Sequence, residues 1–260
     1  MPRAAILRRR WSLVVLSCLA AAQMPRATAP LTCVVLVHGA WVDGSGWKPV
    51  SDILTKHGYD VHIVQIPETS FHDDVAATTR VLDLQTRPCI LVGHSYGGSV
   101  ITEAGVHPRV AGLVYVAAAA PSVGHFEVED EDRHPSVLAM TKGAVVTTPD
   151  GFTFLEPSLF STLFAPDLPP DRAAFAARSQ VLASAKVFRT PMTVAAWQTK
   201  PSWAIVAAAD KIINPDTERM WYTRARSRIT TIAGVGHDVY ETRPREVAAV
   251  IEDAARHAVP

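Results

Sequence analysis

The stretch Cys89-Ile90-Leu91-Val92-Gly93-His94-Ser95-Tyr96-Gly97-Gly98-Ser99-Val100-Ile101-Thr102 decides how the rest of the chain is read. Residues 89–92 form a short apolar run of the kind that makes a fully buried strand. Gly93-x-Ser95-x-Gly97 then marks a sharp turn, and 98–102 begins a helix. A serine at such a strand-to-helix turn is held in a strained backbone conformation, and the flanking glycines keep strand and helix from clashing. The five-residue pattern alone is weak; the strand before it and the helix after it give it force. A serine hydroxyl is a poor nucleophile at its own pKa, so Ser95 needs a base from elsewhere in the chain.

Outward from this turn, short apolar runs alternate with helical stretches. That is the pattern of an α/β fold: a mostly parallel central sheet of about six strands with helices on both faces. Strands are expected at 31–37, 61–66, 89–92, 110–118, 202–209 and 228–232, and helices at 47–57, 73–85, 96–106, 215–226 and 243–257. The rhythm fails over 121–198, which holds the acidic cluster 127–132, several prolines and scattered Phe and Leu. A compact domain does not carry a structureless loop of that length. Residues 121–198 are therefore expected to be a mainly helical cap, inserted between core segments 30–120 and 199–260. The acidic cluster reads as a solvated turn.

The base should follow a late strand. His237, in Val235-Gly236-His237-Asp238, stands there, whereas His257 falls in the terminal helix. An orienting carboxylate belongs at the end of the preceding strand, where Asp210 follows 204–209; it would fix the histidine tautomer and stabilise the imidazolium. Its rival Asp216, directly after Pro215, suits the first turn of a helix. Ester cleavage also needs donors aimed at the developing oxyanion. The backbone N–H of Tyr96 is one candidate. The other is that of Ala40, in the His38-Gly39-Ala40-Trp41 loop after the first strand. His38 and His94 read as structural. Trp41, Phe160 and Phe164 are candidates for an apolar substrate pocket. No spacing of Cys, His and carboxylates resembles a metal site, and no cofactor is expected.

The 260 residues suit one sizeable domain, and a composition 48% hydrophobic and 19% charged can bury a full core. Formal charge is zero, but residues 1–29 hold five arginines and no acid, so the remainder is net −5. A mildly acidic body gives no reason to expect nucleic acid as a partner. Arg8-Arg9-Arg10, the apolar run 11–22 and Ala27-Thr28-Ala29 read as a secretory signal peptide over 1–29. The run is too short for a stable membrane span. Periplasmic or extracellular export is the expectation; a start at Met24, giving a cytoplasmic protein, is the alternative. Cys33 and Cys89, each in an apolar run, are read as buried free thiols in preference to a disulfide.

Leu36-Val37-His38-Gly39-Ala40-Trp41, Gly93-His94-Ser95-Tyr96-Gly97-Gly98, Asp210 and Gly236-His237 occur in an order that resembles the α/β-hydrolase superfamily. Within it the chain is similar to the small esterase-like branch that includes plant methyl esterases, hydroxynitrile lyases and cofactor-free perhydrolases. The resemblance covers 31–257 and is weak across 121–198. It implies Ser95, His237 and Asp210 as a triad, with Ala40 and Tyr96 as oxyanion donors. The implied reaction is hydrolysis of a small, apolar carboxylic ester, lactone or thioester through an acyl-Ser95 intermediate. Relatives also imply two alternatives: lyase or perhydrolase chemistry at the same triad, or ligand binding without turnover. Cyanide chemistry would need a cation near the histidine, for which Lys186 and Lys200 are the candidates. One departure is that the chain begins at what would be the third strand of the full fold.

Overall fold

The structure, a computed structural model, describes Met1 and residues 31–130 and 133–258. The expected signal segment and the alternative start at Met24 lie outside the described residues. Six strands form one parallel sheet: β1 (Cys33–Val37), β2 (Asp60–Val64), β3 (Cys89–Ser95), β4 (Val110–Ala118), β8 (Ser202–Ala207) and β9 (Arg228–Ile232), in the order β2-β1-β3-β4-β8-β9. The four central strands are buried along their whole length. Their continuous apolar runs follow from this, because alternate side chains enter opposite faces and both faces are covered. Cys33, Val35 and Val37 join one core, while Val34 and Leu36 join the other.

Helices α1 (Lys48–Lys56) and α9 (Pro244–His257) pack together on one face, with the short α8 (Val239–Thr242) beside them. On the other lie α2 (Phe71–Asp83), α3 (Gly97–Ala104) and α7 (Pro215–Arg224). Local signals set their starts. The Ser70 hydroxyl accepts the Asp73 amide at the start of α2, and Asn214 Oδ1 accepts the Asp216 amide at the start of α7, which carries Pro215 in its first turn.

Cys33 and Cys89 are not free thiols but form a disulfide, across 56 residues of chain. They are direct register partners on neighbouring strands and face the same side of the sheet, which brings their Cα atoms to 4.5 Å, within bridging reach. The segment 121–198 combines short helices with a small sheet. It contains α4 (Val137–Met140), α5 (Pro157–Leu163) and α6 (Pro170–Arg178), but also β5 (Val145–Thr147), β6 (Phe152–Leu155) and β7 (Ala183–Ser184), which pair as an antiparallel sheet. The described part of the acidic cluster is not freely solvated: Glu127 accepts the Ser99 hydroxyl at 3.1 Å and Asp130 accepts the Trp221 indole N–H at 2.6 Å.

Candidate active site

Ser95 ends β3 at φ +53, the left-handed region that costs a side-chain-bearing residue energy. The surrounding glycines make the turn sterically possible. A Cβ on Gly93 would stand 2.5 Å from the Gly97 carbonyl oxygen, and one on Gly97 would stand 2.5 Å from that of His38. Gly39 is equally constrained, since a Cβ there would lie 2.6 Å from that of Ser95. The loop after β1 can therefore lie directly against the serine only because it carries glycine at that point.

The parallel sheet brings three distant residues together at the carboxyl ends of its strands. Ser95 Oγ lies 2.8 Å from His237 Nε2, and His237 Nδ1 lies 2.7 Å from Asp210 Oδ2. With the Ser95 hydroxyl donating to Nε2, the imidazole donates Nδ1–H to the carboxylate. Asp210 follows β8, and its other oxygen accepts the backbone amides of Ile212 and Ile213 at 2.7 and 3.1 Å. Ser95, His237 and Asp210 are all buried. Asp216 sits apart, exposed in the first turn of α7 and paired with Arg219.

The two other histidines near the serine are neutral supports. Burial pushes His94 well below its ordinary value, so its Nε2–H donates to the His237 carbonyl at 2.9 Å. Burial lowers His38 to about 4; its Nε2 accepts the Ile66 amide and its Nδ1–H donates to the Gly39 carbonyl. Glu218 lies fully buried near Asp210, its Oε2 accepting the Ala207 amide. Burial, with the charge of Asp210, pushes it well above the carboxylate range.

Ser95 opens into a cavity of about 430 Å³. Ala40, Trp41, Ile212 and Ile213 line it from the core, while Leu138, Lys142, Val145, Phe188 and Arg189 come from the 121–198 segment. Of the three expected pocket residues, Trp41 lines the cavity. Phe160 and Phe164 do not: they stack with each other at 4.9 Å between centroids, and Phe164 presents its ring edge-on to His237 at 4.9 Å. They are wall behind the imidazole. Lys186 and Lys200 do not line the cavity either, and its two cations, Lys142 and Arg189, are exposed. Ala40 lines the cavity beside Ser95, and Tyr96, next after the serine, is fully buried.

Glu68, Asp74, Asp167 and Glu218 also shape this site, and the sequence reading passed over all four. Glu68 accepts the Trp41 amide, Asp74 accepts the Tyr96 hydroxyl, and Asp167 accepts the Gly236 amide at 2.7 Å. A usable signal existed for Glu68, an acid placed just past the end of a strand in a fold whose chemistry gathers at that edge.

The alpha/beta hydrolase family model matches residues 34–250. The chain belongs to the alpha/beta hydrolase family. This alpha/beta hydrolase is 34% identical, over 105 residues, to a carbendazim hydrolyzing esterase from Nocardioides sp. (strain SG-4G); the match spans 35% of this chain and 43% of that protein. It is 30% identical to a pyrethroid hydrolase from Sphingobium wenxiniae over 36% of this chain and 38% of that one. The matched region thus spans less than half the length of either curated relative. Among solved structures, a pyrethroid hydrolase from Sphingobium faniae JZ-2 superposes with a TM-score of 0.75 at 21% identity, over 87% of this chain and 98% of that one. Polyneuridine aldehyde esterase and a plant methylesterase from Arabidopsis share the fold as well, with TM-scores of 0.73 and 0.70, each at 16% identity over 86% of this chain, covering 99% and 98% of theirs. Among the described residues no helix is long and apolar enough to cross a membrane, and no group of His, Cys, Asp and Glu could hold a metal ion.

Proposed function

We propose that this alpha/beta hydrolase cleaves a small apolar carboxylic ester through an acyl-Ser95 intermediate. The observation that carries the reading is the continuous relay Ser95–His237–Asp210, at 2.8 and 2.7 Å, opening onto a cavity partly walled by apolar side chains. His237 takes the hydroxyl proton as Ser95 attacks the carbonyl carbon, then returns it to the leaving alcohol. Asp210, pinned by two amides, holds the imidazole in the tautomer this requires and faces the cation once it forms. The amides of Ala40 and Tyr96 receive the oxyanion. Water, activated by the same histidine, then releases the acid. The esterase and hydrolase names of the relatives support ester hydrolysis; Trp41, Phe188, Ile212 and Ile213 favour an apolar group on the ester.

The deciding experiment is a panel of p-nitrophenyl acetate, butyrate and octanoate with a fluorophosphonate probe, using Ser95→Ala as blank. Turnover with probe attached at Ser95 is expected. A protein that turns over no ester and does not label would rule the reading out. We also place the protein in an oxidising compartment, in keeping with the Cys33–Cys89 bridge and the arginine-led apolar start of the chain. Fractionation of the producing cells tests this, and a protein found wholly in the cytoplasm contradicts it.

A further inference from the structure

Two carboxyl groups outside the relay join the backbone segments that carry the two oxyanion donors. Glu68, just past β2, is fully buried and adopts φ +57. Its Oε2 accepts the amide of Trp41, the residue after Ala40, at 3.0 Å. Its own amide donates to Asp74 Oδ1 at 2.7 Å, and Asp74 Oδ2 accepts the Tyr96 hydroxyl at 2.6 Å. A single chain of hydrogen bonds thus runs from the loop after β1, through α2, to the residue that follows Ser95. The Glu68 carbonyl extends it to the cap by accepting the Ser184 amide at 2.8 Å.

The segments so joined need support. Trp41 and Ser95 stand at φ +66 and +53, and with Glu68 they are three non-glycine residues in the left-handed region around one site. Such conformations persist only where neighbouring bonds over-determine them. We propose that Glu68 and Asp74 are positioning residues for the oxyanion hole, setting the distance between the Ala40 and Tyr96 amides; the proposal rests on the acyl-Ser95 reading above.

The two groups do this in different ways. Burial pushes Glu68 up to about 9, so at neutral pH it is an uncharged acid, presenting one acceptor oxygen to the Trp41 amide. A glutamine amide has the same shape and the same acceptor. Asp74 uses both oxygens as acceptors, a task asparagine cannot fill because one of its terminal atoms is a donor.

The experiment measures kcat and KM on p-nitrophenyl butyrate, and the fluorophosphonate labelling rate, for wild type, Glu68→Gln, Glu68→Ala and Tyr96→Phe, with melting temperature recorded for each. Glu68→Ala is expected to lower kcat by about 10- to 100-fold at a KM within about twofold, because displaced donors cost the transition state more than the bound ester. Glu68→Gln should hold kcat within about threefold. Tyr96→Phe keeps the ring and removes one bond of the chain, so it decides the matter if Glu68→Ala does not fold; a kcat loss of about threefold to tenfold at constant KM is expected. Wild-type kcat in both Glu68→Ala and Tyr96→Phe overturns the proposal, as does an equal loss in Glu68→Gln and Glu68→Ala. A wild type inert to ester and probe overturns the acyl-Ser95 reading and this one with it, so the two failures are distinguished by the parent protein.

Discussion

Asp167 of the cap accepts the Gly236 backbone amide at 2.7 Å, one residue before the histidine that faces Ser95. The neighbouring Pro166 closes the same contact, for a Cβ on Gly236 would stand 2.6 Å from its ring. The cap therefore grips the loop on which His237 is mounted. Asp167→Ala is expected to lower kcat about fivefold with little change in melting temperature, the size of one charge-assisted hydrogen bond to an exposed carboxylate. Asp167→Asn keeps an acceptor and should lose less. Steady-state kinetics on p-nitrophenyl butyrate checks both, and equal activity in Asp167→Ala and wild type would show the grip to be irrelevant to turnover.

Ser95→Ala should lower turnover by at least about a thousandfold while folding normally, since alanine fills the same turn with a smaller side chain. Asp210→Asn should be nearly as damaging because it disturbs the histidine tautomer, whereas Asp216→Asn, altering an exposed pair with Arg219, should stay within about twofold. Rates beside melting curves separate chemistry from folding. The opposite ranking of the two aspartates would exchange their roles.

Stability should fall as pH rises from 7 to 9. Burial raises Glu68 from 4.5 to about 9 and Asp238 from 3.8 to about 8. Each binds its proton more tightly folded than unfolded, so its contribution is complete below the unfolded value and lost as pH climbs through the folded one. His38 runs the other way: lowered from 6.5 to about 4, it contributes fully above 6.5 and fails as pH drops through 4. Between pH 7 and 9 the two carboxyls act unopposed by it. Urea midpoints across that range should decline, and Glu68→Gln should flatten the decline. A level wild-type profile would mean that these acids are already ionised in the folded protein.

The Cys33–Cys89 bridge closes a loop of 56 residues in sequence separation, for which loop entropy gives a stabilisation of about 4 kcal/mol. Replacing both cysteines with alanine should lower the unfolding free energy by roughly 2–4 kcal/mol. A thiol titration of the unreduced, unfolded protein should detect neither residue. Two reactive thiols at these positions, found by peptide mapping, would contradict the bridge.

The central strands were legible in the sequence because burial on both faces demands unbroken apolar runs, as at 33–37 and 110–118. Ser95 and Asp210 were legible because each follows such a run, and His237 because it stands in the loop after the last strand. The disulfide was not: both cysteines stand in adjacent strands, but the register that sets them opposite each other depends on packing across 56 residues. Nor was the small sheet of the cap, whose strands of two to four residues are too short to carry a period. Phe160 and Phe164 were placed in the cap correctly and in the pocket wrongly, since an aromatic side chain reads the same whether it lines a cavity or backs a histidine. Glu68 was legible by its place just past a strand, but the left-handed turn that aims it is announced by no residue near it.

Trp41 is bound from two directions, its amide by Glu68 and its indole N–H by Thr153 of β6, whose own hydroxyl is given to the Ala183 carbonyl. The reacting end of the cavity is therefore welded to the small sheet of the cap, and the two cannot drift apart without unpairing buried groups. Leu138 and Lys142 line the same cavity from α4 and the turn after it, where the Leu138 amide donates to the Lys211 carbonyl at 2.8 Å. Side chains exchanged at Leu138 and Lys142 should therefore reshape the cavity while Trp41 and Ser95 keep their hydrogen bonds.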